Sequence, residues 1–147
     1  MTYAEALDEA LCFGWIDGQK KSLDEESWLQ KFTPRRPRSG WSKMNTEHVE
    51  RLIKQKKMTA AGMKEVEAAK ADGRWNAAYD RFSEARPSDG FLQALDKNPK
   101  AKAFYDTLNK TNLFSIAYRL QTAKREETKQ KRIKEIVAML AREEKFH

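Results

Sequence analysis

Apolar positions recur at helical spacing along most of the chain, with one early interruption where they alternate instead. Tyr3, Leu7, Ala10 and Leu11 share a helical face, and Thr2 with Glu5 fits a capping box. A first helix is therefore predicted up to Phe13, stopped by Gly14. From Trp15 to Thr33 the helical period disappears. Trp28, Gln30 and Phe32 alternate with Leu29 and Lys31, and the acids at 24 to 26 suit a turn, which predicts two short antiparallel strands. An isolated hairpin is marginal in water, so another element must cover it.

The prolines, glycine and serines of Pro34 to Ser42 mark a loop. Beyond it, Asn45 suits the cap of a helix carrying Val49, Leu52 and Ile53. Thr59 suits the cap of another carrying Met63, Val66 and Ala69 up to Gly73. Both are expected to lay their apolar stripes on the hairpin. Residues 74 to 87 have weak periodicity and read as a connector. Ser88 then opens a short turn through Phe91, Leu92 and Leu95, and Asn98-Pro99 caps a helix through Ala101, Phe104, Tyr105 and Leu108. Leu113, Ile116, Ala117 and Leu120 repeat the spacing, as do Ile133, Ile136, Val137 and Leu140. The predicted class is α+β, predominantly α. Residues 1–80 form an α+β subdomain (helix, hairpin, two helices), and residues 81–147 a helical subdomain of about three main helices.

Composition leaves that picture standing. Charged residues make up 35% of the 147 and mean hydropathy is -0.88, values that lean towards disorder. Four Trp, seven Phe and four Tyr nonetheless supply the large apolar side chains a core needs. A single cysteine, Cys12, excludes an intramolecular disulfide. The first residues lack the basic and apolar regions of a signal peptide, and no apolar run approaches the ~20 residues that span a bilayer. A cytoplasmic protein without membrane insertion is expected.

Charge is unevenly placed. The net is +7, yet residues 1 to 30 hold seven acids against Lys20 and Lys21, a net of -5, which leaves +12 on the remainder. Such asymmetry favours packing of the acidic start on the basic body, or a meeting of the body with an anionic partner.

Residues able to do chemistry are sparse. The two histidines are His48 and His147, and nothing in the sequence places either beside Cys12, which falls on an apolar helical stripe. No CxxC, HxxxH or glycine-rich phosphate loop occurs, so no metal, cofactor or catalytic residue is assigned and a non-enzymatic role is expected. Asp17 sits inside a predicted strand, with Arg35 and Arg36 as its expected partners. Lys31 to Lys43 holds five cations and no acid, flanked by Phe32 and Trp41, a pattern that grips phosphate or stacks on bases. A second basic run, Lys124 to Lys134, carries six cations and two acids. Its candidate surface residues are Lys124, Arg125, Lys131 and Arg132, with Glu127 and Lys131 spaced to pair along a helix.

Three blocks together resemble the bacterial YdeI/OmpD-associated family, also described as bacteriocin-protection proteins. They run from Glu5 to Asp17 (EALDEALCFGWID), from Phe32 to Asn45 (FTPRRPRSGWSKMN) and from Ala123 to Ile133 (AKREETKQKRI). Residues 58–62 and 69–75 look like the family too. Two departures stand out. The chain begins where the family's usual N-terminal segment would end, so the hairpin is expected to have an unpaired edge open to a homodimer. Lys129 replaces the family's usual arginine, losing a bidentate fork. The resemblance implies protection against bacteriocins or antimicrobial peptides, or a part in envelope stress, and implies no reaction.

The two most specific blocks place Trp15, Asp17, Arg35, Arg36, Trp41, Ser42 and Asn45 around one hairpin and its exit loop. A binding surface for an unknown protein or anionic ligand is therefore expected there. The alternative is a nucleic-acid-associated protein using its basic loop and last helix.

Overall fold

Thr2 starts the first helix as its spacing from Glu5 predicts. In the computed structural model, which describes residues 1–147, the Glu5 amide donates to Thr2 Oγ1 at 3.3 Å and the Thr2 amide to Glu5 Oε2 at 2.6 Å. Helix α1 (Tyr3–Cys12) ends at Gly14, whose φ of +77° only glycine adopts cheaply. Strands β1 (Trp15–Ser22) and β2 (Trp28–Pro34) follow as a lone antiparallel pair. Asp24 closes their turn, accepting from the amides of Glu26 and Ser27 at 2.9 and 2.7 Å. The register is interrupted between Asp17 and Lys20, where Gln30 Nε2 donates to the Gly18 carbonyl at 3.0 Å.

Helices α2 (Lys43–Lys54) and α3 (Ala60–Ala71) complete the first unit, Met1–Ala78. One expectation needs correction. Ser42, not Asn45, caps α2: the extended backbone lies at Ser42, whose Oγ accepts the Asn45 amide at 3.1 Å. Asn45 is buried in the first helical turn. Both helices pack on α1, and Ile16 and Phe32 of the hairpin pack against the cluster that holds Val49, Leu52, Val66 and Ala69.

The end of α1 is joined directly to the start of α3. Thr59 N and Oγ1 both donate to the Cys12 carbonyl, at 3.1 and 2.7 Å, while Thr59 Oγ1 accepts the Gly62 amide. A Cβ on Gly62 would sit 2.1 Å from that carbonyl oxygen, so only glycine permits the approach. One threonine thus caps α3 and satisfies an end carbonyl of α1. The core beneath gathers Leu7, Leu11, Cys12, Trp41, Val49, Leu52, Val66, Ala69 and Trp75. Burial raises the Cys12 thiol's pKa.

The second unit, Tyr79–His147, holds four helices where about three were expected, because the turn opened by Ser88 is itself a helix. They are α4 (Asp89–Asp96), α5 (Pro99–Tyr105), α6 (Lys110–Gln121) and α7 (Glu126–Ala141). Ser88, Asn98 and Asn109 each accept an amide of the helix they start. Phe91, Leu95, Ala101, Ile116, Leu120, Ile133, Ile136 and Leu140 form its core. The polar run expected to open the last helix is divided: Lys124 precedes α7 and Arg125 is its N-cap residue. No helix is long and apolar enough to cross a membrane.

Candidate functional site

The sequence places seven candidate residues around the hairpin, and the structure sorts them by exposure. Arg35 is 8% exposed and Trp41 2%. The guanidinium carbon of Arg35 lies 3.4 Å from the centre of the Trp41 ring, and its Nη1 donates to the Gly40 carbonyl at 3.2 Å. Trp41 in turn packs on Trp75 at 5.0 Å. Arg74, buried as well, sends Nη1 to the Ser39 carbonyl at 2.8 Å and Nε to Asp72 at 2.7 Å. Two arginines therefore clasp loop 35–41 by its own carbonyls, as planar forks do well when stacked. With Ser42 capping α2 and Asn45 buried, four of the seven hold the fold together rather than line an open surface.

Trp15 and Arg36 are exposed. Asp17 is half-buried, but its partner is neither Arg35 nor Arg36: Tyr3 OH donates to Asp17 Oδ2 at 2.8 Å. Burial first, then that hydrogen bond, push the Tyr3 hydroxyl up to about 12. Tyr3 also stacks on Phe32, centroids 6.4 Å apart. These contacts fasten the start of α1 to the hairpin.

Between them runs an open groove of about 470 Å³, lined by Met1, Thr2, Tyr3 and Ala6 from the helix side and Glu26, Ser27, Trp28, Gln30 and Phe32 from the strand side. The Trp28–Gln30–Phe32 alternation is the strand signal seen in the sequence, with another element expected to cover the hairpin. Its role as a groove wall depends on α1 covering only part of that face. Trp28 is 46% exposed and Leu29 55%. Lys20 Nζ rests 4.2 Å from the centre of the Trp28 ring, so that ring already holds a cation. Asp24, Glu25 and Glu26 form the adjoining turn. The Ser27 hydroxyl, then the Glu26 and Ser27 amides, hold the Asp24 carboxyl below the usual range, keeping it charged.

The thiol and the internal histidine do not meet. His48 Nδ1 lies 3.0 Å from Arg51 Nη2 and 3.6 Å from Asp8 Oδ1, and Arg51 reaches Asp8 at 2.6 Å.

In the second unit Lys124 and Arg125 are exposed. Lys131 pairs with Glu135 at 3.8 Å, not with Glu127. Arg132 is half-buried, and its Nη1 donates to the Arg119 carbonyl and to Thr122 Oγ1. The basic residues expected to form one patch are thus divided between solvent and helix packing.

Comparison with known proteins divides the chain as well. Residues 84–143 match the family model described as "Bacteriocin-protection, YdeI or OmpD-Associated". Residues 1–65 match a model described only as a domain of unknown function. The resemblance seen in the sequence blocks therefore finds its family match over the third block, whereas the first two lie in the part matched by the uncharacterised domain. No curated protein and no solved structure matches the chain significantly.

Proposed function

From the premise that residues 84–143 carry a domain of the bacteriocin-protection, YdeI or OmpD-associated family, we propose that the protein acts in protection against bacteriocins or antimicrobial peptides by binding a cationic amphipathic peptide in the hairpin groove, without a chemical step. The observation that carries this reading is the open groove of about 470 Å³ walled by Tyr3, Trp28 and Phe32 beside the acidic turn. A net charge of +7 repels cationic peptides over most of the surface. The first thirty residues, at -5, are the stretch that attracts them. Apolar residues of such a peptide fill the aromatic walls, its cations meet Asp24, Glu25 and Glu26, and the two-stranded sheet offers a free edge for an added strand. The proposed setting is the cytoplasm, which suits a buried free thiol at Cys12.

Calorimetric titration of the full chain with a cationic amphipathic peptide tests this, with an acidic peptide of matched hydropathy as control. Saturable binding of the cationic peptide, weakening with salt, is expected. Trp28→Ala should weaken it by roughly 30-fold, the loss typical of a buried tryptophan anchor. Should Trp28→Ala confer full peptide resistance on cells while remaining folded, the groove is not the working surface. A second copy is the rival occupant of the free strand edge, giving a homodimer. Sedimentation with and without peptide separates the two, because a peptide-bound monomer and a dimer differ twofold in mass.

A further inference from the structure

Helix α6 aligns Ser115, Tyr118, Arg119 and Thr122 along one face by their spacing. Arg132 reaches this face from α7, donating to the Arg119 carbonyl and to Thr122 Oγ1. With Phe114 these residues enclose an open concavity of about 280 Å³. Two guanidiniums and an aromatic plane thus share one small cleft.

The state of each group decides what the cleft takes. Neither Arg119 nor Arg132 is ion-paired with a carboxylate. Arg119 lies 4.1 Å from the centre of the Phe146 ring, a stacking contact that fixes the guanidinium plane and leaves its N–H donors uncommitted. The one acid on the adjoining cleft is Glu135, which faces Lys131 at 3.8 Å. The Thr122 hydroxyl is engaged by Tyr118 O and Arg132. Ser115 Oγ lies 2.8 Å from His147 Nε2, adding a hydroxyl and an imidazole at the rim. Tyr118 is 39% exposed, yet its ring is braced. It meets Tyr79 edge-on at 5.0 Å and Phe114 at 5.9 Å, and Phe114 rests on Phe82 at 5.0 Å. A braced, exposed ring stacks a flat ligand at little entropic cost. The unit that holds the cleft carries fifteen Lys and Arg against ten Asp and Glu, a net of +5, so anions are drawn towards it.

We propose that this cleft binds a nucleoside phosphate, with Arg119 and the remaining donors of Arg132 on the phosphoryl oxygens and the base against Tyr118. Planar forks match phosphate oxygens, and a stacked aromatic beside them favours a base over inorganic phosphate alone. The same unit reaches the cleft whether it comes as a free nucleotide or as part of a single strand. All residues of this cleft belong to the second unit, and none of them lines the hairpin groove.

The test uses the full chain at low salt with three probes: AMP, inorganic phosphate and a short single-stranded oligonucleotide. Saturable AMP binding that drops roughly tenfold in Arg119→Ala, as expected for loss of one charge-assisted fork, supports the site with a free nucleotide as its source. Binding of the oligonucleotide alone, weakened in Arg119→Ala with the log–log salt slope falling by roughly 0.7, supports it with a strand as its source. Phosphate binding as tightly as AMP, or no binding of AMP and oligonucleotide, overturns the inference. So does binding indifferent to Arg119→Ala. Arg119 makes no hydrogen bond with its side chain, so the variant should fold, and a thermal melt superimposable on the parent's checks this.

Discussion

Two arginines in this chain lie over aromatic rings, and they do opposite things. Arg35 sits 3.4 Å from the Trp41 ring at 8% exposure and donates to the Gly40 carbonyl. Arg119 sits 4.1 Å from the Phe146 ring, with its donors facing an open cleft. The residue pair is the same type of pair. What differs is the setting of the guanidinium, buried with Nη1 on the Gly40 carbonyl in one unit and exposed at an open cleft in the other. An arginine beside an aromatic in sequence is thus not evidence of a ligand until the fate of its N–H groups is known.

The largest effect that would break this contrast belongs to Trp41. Truncation to alanine should cost about 3–5 kcal/mol, measured by chemical denaturation, because the ring fills the space between Arg35 and Trp75. Trp41→Phe sharpens the reading. The indole N–H is buried without a hydrogen-bond partner, so a phenyl ring keeps the stack and removes an unsatisfied donor. It should cost less than half as much as alanine. Equal losses for the two variants would mean that indole shape, not stacking, is what the site needs.

Arg35→Ala comes next, at about 1.5–3 kcal/mol, since it opens the charged hydrogen bond to loop 35–41 and uncovers one face of Trp41. Arg36→Ala, one residue on and exposed, is the internal control and should lie within about 0.5 kcal/mol of the parent. If the two variants behave alike, the clasp is not what holds the loop.

Ser42→Ala should cost about 1 kcal/mol, the usual worth of an N-cap, through loss of its bond to the Asn45 amide. That residue also shows where sequence reading reaches its limit. Thr2, Thr59 and Asn98 were legible as caps because capping is local: a short polar side chain, then an apolar stripe. Ser42 and Asn45 are both good caps three residues apart, and only the extended backbone at Ser42, where the clasped loop ends, decides between them. The partner of Asp17 was illegible for a similar reason, since Tyr3 lies fourteen residues upstream on another element. The aromatic set of Tyr79, Phe82, Phe114 and Tyr118 joins a segment without periodicity to a helix, so no window along the chain contains it. Alternation at Trp28, Gln30 and Phe32 was visible, yet whether such a face is core or groove depends on how far α1 extends over it.

The smallest effect is the most discriminating. Arg119→Ala should change stability by no more than about 0.5 kcal/mol, because its guanidinium makes one stacking contact and no hydrogen bond or ion pair. Against Arg35→Ala, the gap between two chemically identical substitutions isolates the environment. A denaturation midpoint moved as far by Arg119→Ala as by Arg35→Ala would make both stacks structural and close the cleft as a binding site. A midpoint left in place leaves the Arg119 fork free for phosphoryl oxygens, and the contrast between a closed and an open arginine stack stands on stability alone, before any ligand is added.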